Sequence, residues 1–403
     1  MSLIDGHLRA KPPPLDELRL VDPDDQACAR GRWPRRSNVR AGHPGRIETS
    51  TSLEDGVADA DAVLIQLRIG GQDARRGDET WPHEMHCIGQ ETTGPGGLAK
   101  ALRTVPVVLR VADAVRRFAR PGAWIVDFTN PVGIVTRALL QEGHRAVGLC
   151  NVAIGFQRRF AGLFGVTPDE VALGHAGLNH LTWIRSAEVG GVDRLPELFA
   201  RIDELAHEVE LPAHLLELLG AVPSYYLRYY YAHDEVLAEQ LHSPNRADAV
   251  QQVERELLAL YADESVDTKP EALERRGGAF YSEAAIELLS GLAHDTGEVR
   301  VANLRNDGTL PFLPDDHVIE VPARVTAAGV EALPVAPFAD DIRGLVSAVA
   351  GYERLALDAA VHGGRDRVLR AMQAHPLVQQ YERAERLTDL LLAHNARHLE
   401  WAS

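Results

Sequence analysis

Short apolar runs alternate with helical periodicity along the first half of the chain. Runs at 18–21, 62–67, 124–126 and 146–149 are rich in β-branched and other apolar residues, and a helical pattern covers 106–118. This alternation is typical of a parallel, doubly wound sheet, in which ligands bind beyond the carboxyl ends of the strands. Polar or glycine residues follow these runs, so the sequence predicts a site built from the strand ends.

The pattern changes after about residue 170, where helices become the main predicted element. We therefore expect a Rossmann-like domain over 1–165 and a mostly helical α+β domain over 166–403. The predicted elements of the second domain are an extended segment at 171–184, helices within 195–262, a mixed section at 277–325 with a strand at 318–322, and helical runs at 341–360 and 366–401.

Charge and cysteine content narrow the function classes. The 403 residues carry a formal net charge of −16, which would repel a nucleic-acid backbone, so nucleic acid is not an expected partner. Three cysteines are too few for a disulfide framework and fit a reducing compartment. The sequence shows neither an apolar stretch of ~18 residues nor a secretory signal, so we expect no membrane span and a cytoplasmic location.

Cys150 and His180 are the candidate metal ligands. Cys150 follows a predicted strand, and Asn179 and His180 lie further along the chain. One thiolate and one imidazole form a borderline-soft pair that suits Mn, Fe, Co, Ni or Zn. Two protein ligands leave room for a substrate to chelate the metal. The alternative is that Cys150 is only a small buried apolar side chain.

Five phrases occur in a fixed order along the chain. They are IGQETTGPGG at 88–97, FTNP at 128–131, GLCN at 148–151, GLNHL at 177–181 and PSYYLRYY at 223–230. Together they resemble glycoside hydrolase family 4, the NAD- and metal-dependent 6-phospho-glycosidases, and the likeness runs from about residue 15 to the C-terminus. The resemblance implies a second domain of the lactate/malate-dehydrogenase type.

The resemblance also implies roles for individual residues. Cys150 and His180 match the metal ligands, and Tyr226 matches the catalytic base. The matching substrate-binding residues are Asn130, Asn151, Asn179, Arg75 and Arg246. The matching cofactor-binding residues are Asp22, Thr92 and Gly94.

The implied reaction is hydrolysis of a 6-phospho-β-glycoside by redox elimination. NAD+ oxidises the sugar C3, the metal assists deprotonation at C2 by Tyr226, and elimination, water addition and re-reduction follow. The β preference rests on Asn151, because α-acting relatives carry Asp after the cysteine. The resemblance further implies Mn²⁺ as the metal, a small phosphorylated disaccharide or glycoside as the substrate, and a homodimer or homotetramer.

Several assignments have a plain structural alternative. Tyr226 belongs to a group of five tyrosines within 225–231, which could serve packing alone. Arg246 could be a solvated charge at a helix start, and Asp22 could simply end a strand before Pro23. Arg75 stands next to Arg76, so its role could belong to its neighbour.

The start of the chain departs from the family pattern. Family members open with a strand and a Gly-rich turn that holds the NAD pyrophosphate, but no G-x-G-x-x-G stands ahead of Leu15. We therefore expect a gap in the sheet and weak or absent NAD binding, with the metal and sugar sites preserved. An inactive family remnant and a 2-hydroxy-acid dehydrogenase stay open as alternatives, although we cannot place the His–Asp pair that the dehydrogenase needs.

Overall fold

The computed structural model describes residues 16–24, 45–263, 265–268, 270–276 and 281–402. Its first two strands, β1 (Glu17–Val21) and β2 (Arg46–Ser50), pair in parallel and form a small sheet of their own. The segment ahead of residue 16, where the sequence lacks the Gly-rich turn, lies outside the described residues.

The other strands form one sheet of ten. The parallel part contains β3 (Ala62–Ile65), β4 (Trp124–Asp127) and β5 (Ala146–Gly148), whose neighbours in the sheet follow that order. The remaining strands pair antiparallel and extend the sheet in the order β5-β10-β11-β6-β7-β8, with β9 on β7 and β12 on β11. These strands are β6 (Val171–Leu178), β7 (Leu181–Val189), β8 (Val192–Asp193), β9 (Val222–Pro223), β10 (Val299–Arg305), β11 (Val318–Thr326) and β12 (Gly329–Ala332).

Helices cover both parts of the sheet and supply most of the buried apolar side chains, among them Leu98, Leu102 and Val346. Within the described ranges, no helix is long and apolar enough to cross a membrane. The helices are α1 (Leu53–Val57), α2 (Gly71–Thr80), α3 (Gly94–Phe118), α4 (Val132–Gln141), α5 (Val152–Phe164), α6 (Leu195–Phe199), α7 (Ile202–Val209), α8 (Ala213–Leu219), α9 (Arg228–Tyr231), α10 (His233–His242), α11 (Arg246–Ala262), α12 (Ala272–Arg276), α13 (Tyr281–His294), α14 (Asp340–His362), α15 (Arg365–Ala374) and α16 (Tyr381–Asn395).

The predicted gap in the sheet stays a prediction, because residues 1–15 and 25–44 lie outside the described ranges. Among the described residues, no strand joins the β1–β2 pair to β3, the edge strand of the main sheet. Instead β1 packs against α1, because Arg19 donates to the backbone carbonyls of Asp55 and Ala58, at 3.0 and 2.6 Å. These bonds satisfy carbonyl groups at the C-terminus of α1, which have no partner within the helix.

The main sheet crosses the predicted domain division at residue 165. Gly148 at the end of β5 pairs with Asn303 in β10, so strands from both halves of the chain lie side by side. This pairing brings the end of β5 next to β10 and β11. The division into 1–165 and 166–403 stays a prediction.

Three predicted elements differ from the structure in their limits. The helix predicted at 106–118 begins already at Gly94 and contains Pro106 in its interior. The extended segment at 171–184 is the β6–β7 hairpin. The helical run at 366–401 is interrupted between Ala374 and Tyr381. The residue before Pro376 is held in an extended conformation, because the proline ring disfavours helical geometry there.

Asp127, at the end of β4, is a carboxyl group buried in the core of the parallel sheet. Its Oδ1 atom accepts the backbone N–H of Thr129 at 2.9 Å, whereas Oδ2 is buried and meets no hydrogen-bond donor among the described residues. Burial raises the pKa of Asp127 well above its ordinary value. The folded protein therefore favours the neutral acid at this position.

We expect Asp127→Asn to stabilise the protein at neutral pH. The pKa of Asp127 is raised in the folded state. Its favourable contribution to the free energy of unfolding is therefore complete below the unfolded pKa of about 4 and is lost as the pH rises through the folded pKa. The variant should be more stable by about 1–3 kcal/mol at pH 7, and the difference should shrink towards pH 4. Urea denaturation of the wild type and the variant at pH 7 and pH 4 measures the stability difference and its pH dependence.

Asp61→Asn is the matched control, since Asp61 is a surface carboxylate paired with Arg120. It should change the free energy of unfolding by less than about 0.5 kcal/mol at either pH. A wild type more stable than Asp127→Asn at pH 7, or a difference independent of pH, would contradict this account of the buried carboxyl.

Candidate active site

The two candidate metal ligands stand at the ends of two strands of the main sheet, β5 and β6, which are separated in the sheet by β10 and β11. Cys150 follows β5, and His180 lies in the tight turn between β6 and β7, whose flanking residues Leu178 and Leu181 pair with each other. His180 adopts a left-handed backbone conformation with φ of 62°. A residue with a β carbon adopts this conformation at a cost of about 1–2 kcal/mol, and such strain concentrates at functional sites.

Cys150 is buried, and hydrogen-bond donors surround its sulfur. The backbone N–H groups of Asn151 and Val152, at the N-terminus of α5, and the side chain of Asn179 hydrogen-bond to it. Burial raises the pKa of Cys150, and the negative charge of Glu320 raises it further. The side chain is therefore a neutral thiol until a cation favours the thiolate.

Glu320, in β11, is a fully buried carboxylate beside this pair. Its oxygens accept hydrogen bonds from His175, Asn179 and Asn303, at 2.8, 2.9 and 2.9 Å. Burial alone would raise the pKa of Glu320, but these donors hold it below its ordinary value. Asn179, the residue before His180, thus links the Glu320 carboxylate to the Cys150 sulfur.

Two residues, Thr92 and Tyr226, contact the imidazole ring of His180. Its Nδ1 atom lies 3.0 Å from the hydroxyl oxygen of Thr92. The ring of Tyr226 stacks on the imidazole, with centroids 3.7 Å apart and an interplanar angle of 4°. Burial lowers the pKa of His180 to about 4, so the ring is neutral at pH 7. Only the neutral ring offers a lone pair to a metal.

These residues fit a divalent cation. Cys150 and His180 provide one sulfur and one neutral nitrogen, and the Glu320 anion beside them favours positive charge. Over the part of the chain that the structure describes, no group of three or more His, Cys, Asp and Glu side chains is arranged to hold a metal. A metal at Cys150 and His180 would accordingly leave coordination positions for oxygen atoms of the substrate.

A second buried charge cluster lies on the side of α2 and α3. Lys100 Nζ lies 2.6 Å from Glu91, Arg75 Nε lies 3.4 Å from it, and Arg68 also pairs with it. Burial would raise the pKa of Glu91, but the three cations hold it far below its ordinary value. Neither Glu91 nor Lys100 is among the site residues predicted from the sequence. A carboxylate and a lysine within a Gly-rich, otherwise apolar helix start are the signal that could have marked them.

Glu79 connects Arg75 with the start of α11. One of its carboxylate oxygens lies 2.6 Å from Arg75 Nε, and the other accepts the backbone N–H of Ala247 at 3.0 Å. Arg246, the residue before Ala247, is exposed to solvent. The structure therefore brings the two predicted substrate-binding arginines, Arg75 and Arg246, into one region, with Arg75 already paired to carboxylates.

The remaining predicted site residues occupy different places. Asn130 follows β4, and its Oδ1 atom is buried without a donor among the described residues, as expected for a group that awaits a ligand hydroxyl. Asn151 is the residue before the first turn of α5. Asp22 is exposed at the end of β1, where its side chain accepts the backbone N–H of Asp24 at 2.9 Å.

The Gly-rich turn at 94–97 serves packing at the start of α3. Gly94 has φ of 68°, which suits glycine, and its N–H donates to His375. A β carbon on Gly96 would collide with the backbone carbonyl oxygens of Gln90 and Asp78. Whether Gly94 also contacts a cofactor stays a prediction, and so does the cofactor role of Thr92.

A Rossmann-like half joined to a mixed helical half, with a thiol–imidazole pair at the strand ends, defines a dehydrogenase-like α/β enzyme fold. Malate dehydrogenase from Salinibacter ruber shares this fold with a TM-score of 0.51 over 91% of this chain and 93% of its own. The two chains are 17% identical, so this likeness shows the fold alone and supports no dehydrogenase activity.

Family comparisons are more specific. The model for the Family 4 glycosyl hydrolase matches residues 8–166, and the model for its C-terminal domain matches residues 175–378. The chain belongs to glycoside hydrolase family 4 and is a glycosidase. The inferred resemblance is thereby confirmed.

Two relatives illustrate the closeness. A protein named "Probable 6-phospho-beta-glucosidase" from Bacillus subtilis is 36% identical, over 98% of this chain and 93% of its own. The 6-phospho-beta glucosidase from Thermotoga maritima, solved with manganese, NAD+ and glucose-6-phosphate, superposes with a TM-score of 0.91. That structure is 32% identical and covers 98% of this chain and 95% of its own.

We expect Cys150→Ser and His180→Ala each to abolish Mn²⁺ binding while leaving the fold intact. Each change removes a candidate ligand atom. The loss of Mn²⁺ affinity should therefore be larger than the loss of about 10–100-fold that follows removal of a hydrogen-bond partner of a ligand. Calorimetric titration with Mn²⁺ and thermal melting measure the two effects. Cys87→Ser is the matched control, because Cys87 is also buried but lies against Leu377. Wild-type Mn²⁺ affinity in either ligand variant would refute the metal assignment.

Proposed function

We propose that this chain hydrolyses 6-phospho-β-glucosides with NAD and a divalent metal, Mn²⁺, as cofactors. The observation that carries the proposal is the stacking of Tyr226 on His180. It puts a phenol next to a candidate metal ligand, while Asn179 ties Cys150 to the same turn. A base beside a Lewis acid is the arrangement that removal of a carbon-bound proton needs.

When bound, the metal supplies Lewis acidity towards sugar oxygens, and NAD supplies reversible oxidation at the sugar C3. The residues of the chain do the remaining work. Cys150 and His180 hold the metal, and the buried Asn130 Oδ1 accepts a hydrogen bond from a sugar hydroxyl. Tyr226 accepts the proton from C2, after which the aglycone leaves and water adds.

Arginine side chains support recognition of the phosphate. The net charge of −16 disfavours an anionic substrate in general, so a sugar phosphate needs local cations. Arg246 is exposed at the start of α11, whereas Arg75 is held by Glu79 and Glu91. We infer that Arg246 makes the direct contact with the phosphate and that Arg75 sets the charge of the pocket wall.

The relatives support the same substrate class. The Thermotoga maritima enzyme was solved with manganese, NAD+ and glucose-6-phosphate, and the β preference of the proposal rests on Asn151. Assembly as a homodimer or homotetramer and a cytoplasmic location are part of this proposal. The expected weakness of NAD binding stays a prediction, which the dependence of turnover on added NAD+ tests.

The test is hydrolysis of p-nitrophenyl 6-phospho-β-glucoside by the full chain with Mn²⁺ and NAD+. We expect turnover that requires both cofactors, and little or none with the α anomer or the unphosphorylated β-glucoside. Absence of turnover at saturating Mn²⁺ and millimolar NAD+ would reject the proposed activity. Turnover that needs no added NAD+ would contradict the expected weak binding of that cofactor.

Arg246→Ala should raise KM for the phosphorylated glucoside by about 10–100-fold, because one charge-assisted hydrogen bond contributes about 1.5–3 kcal/mol. The value of kcat should change little, since the contact is remote from the reacting carbons. Arg255→Ala, which removes another exposed arginine of α11, is the control and should leave KM unchanged. An unchanged KM in Arg246→Ala would assign the phosphate to other residues.

Tyr226→Phe should lower kcat by about 10²–10⁴-fold, because the proton acceptor at C2 is lost. The wild type should exchange the C2 hydrogen with deuterated solvent during turnover, and the variant should not. Mass spectrometry of the glucose 6-phosphate product measures the exchange. Tyr225→Phe, at the exposed neighbouring tyrosine, should retain both activity and exchange. A Tyr226→Phe variant with full activity would eliminate Tyr226 as the base.

A further inference from the structure

The Nδ1 atom of His180 is engaged by a hydroxyl group outside the hairpin that carries it. Thr92 Oγ1 lies 3.0 Å from this nitrogen. A hydroxyl can donate or accept, and an uncharged imidazole has one N–H and one lone pair, so the distance alone leaves two arrangements. Which one is present decides whether Nε2 carries a lone pair or a hydrogen.

The neighbours of Gln90 show which way its side-chain amide is oriented. Its side-chain oxygen faces the backbone N–H groups of Thr92 and Thr93, the second at 3.1 Å. Backbone N–H groups only donate, so the atom that faces them must be the amide oxygen and not the amide nitrogen. The amide nitrogen is then free to point the other way, where Gln90 hydrogen-bonds to Tyr229.

The same oxygen settles the direction of the hydroxyl. Thr92 Oγ1 lies 2.8 Å from Gln90 Oε1, and an amide oxygen only accepts. The Thr92 hydrogen must therefore point at Gln90, which leaves a lone pair of the hydroxyl oxygen facing His180. His180 can complete this contact only with its hydrogen on Nδ1.

We propose that Gln90 and Thr92 are positioning residues that hold His180 in the tautomer with hydrogen on Nδ1, so that Nε2 presents its lone pair to the metal. This inference rests on the proposed function, because it concerns the metal that the reaction uses. A ligand histidine whose other nitrogen is held by an acceptor binds metal more tightly, since the tautomer and the ring orientation are set in advance. Thr92 then acts through His180 and is not itself a catalytic residue.

Thr92→Val tests the proposal, because valine has nearly the shape of threonine and no hydroxyl. We expect its Mn²⁺ affinity, measured by calorimetry without NAD+, to fall about 10–100-fold. Thr92→Ser retains the hydroxyl and should stay within about threefold of the wild type. Thr93→Val is the control: Thr93 meets Gln90 through its backbone N–H, which valine keeps, so its Mn²⁺ affinity should not change.

Long-range ¹H–¹⁵N spectra of the metal-free protein report the tautomer directly, with the His180 signals assigned from their loss in His180→Ala. The wild type and Thr92→Ser should show a protonated Nδ1, and Thr92→Val should lose this preference. Wild-type Mn²⁺ affinity in Thr92→Val, equal losses in Thr92→Val and Thr92→Ser, or a protonated Nε2 in the wild type would each overturn the inference. A wild type that fails to bind Mn²⁺ would instead defeat the proposed function.

Discussion

Glu320 is fully buried in the main sheet, and its carboxylate accepts hydrogen bonds from His175 and Asn179 in β6 and its turn and from Asn303 in β10. A hydrogen bond to a charged group typically contributes about 1.5–3 kcal/mol, so the carboxylate holds its three donors in place. Because they come from elements on both sides of β11, the carboxylate fixes the register in which the turn meets the end of β5. Cys150 meets Asn179 at that junction, which is where the candidate metal site lies.

Burial acts on the candidate ligands in opposite directions and makes both of them neutral. It lowers the pKa of His180 and raises the pKa of Cys150, because a low dielectric disfavours any isolated charge. A neutral imidazole is ready to bind a metal, whereas the thiol must give up its proton. The Glu320 anion disfavours the Cys150 thiolate in the absence of a cation, and it attracts a cation to the site.

The buried cations near the site are paired with a carboxylate, whereas Arg246 is exposed to solvent. Glu91 pairs with Lys100, Arg68 and Arg75 inside the protein and offsets part of their charge, so these ion pairs stabilise the wall formed by α2 and α3. Arg246 stays at the solvent boundary, where an anionic group can reach it without the desolvation of a second buried charge. In the same region the Gly-rich turn lets α3 begin against the backbone of residues 78 and 90.

Local pattern by itself determined the strands that end at Asp127 and Gly148, the long C-terminal helices and, through the ordered phrases, the family. These features depend on neighbouring residues, because periodicity and turn chemistry act over a few positions. The roles of Cys150, His180 and Tyr226 stay predictions of the resemblance. β2 was missed because only Ile47 of its five residues is buried, which leaves little apolar pattern.

Only the tertiary structure decided which distant groups meet. The partners of Glu320 and the contact between Thr92 and His180 depend on strand pairing and packing between segments that are separated in the chain. Hydrogen bonds between such segments leave no periodic trace in the sequence, since any one position constrains only its own partner. For that reason the candidate ligands could be proposed from the sequence, whereas the side chains that contact them could not.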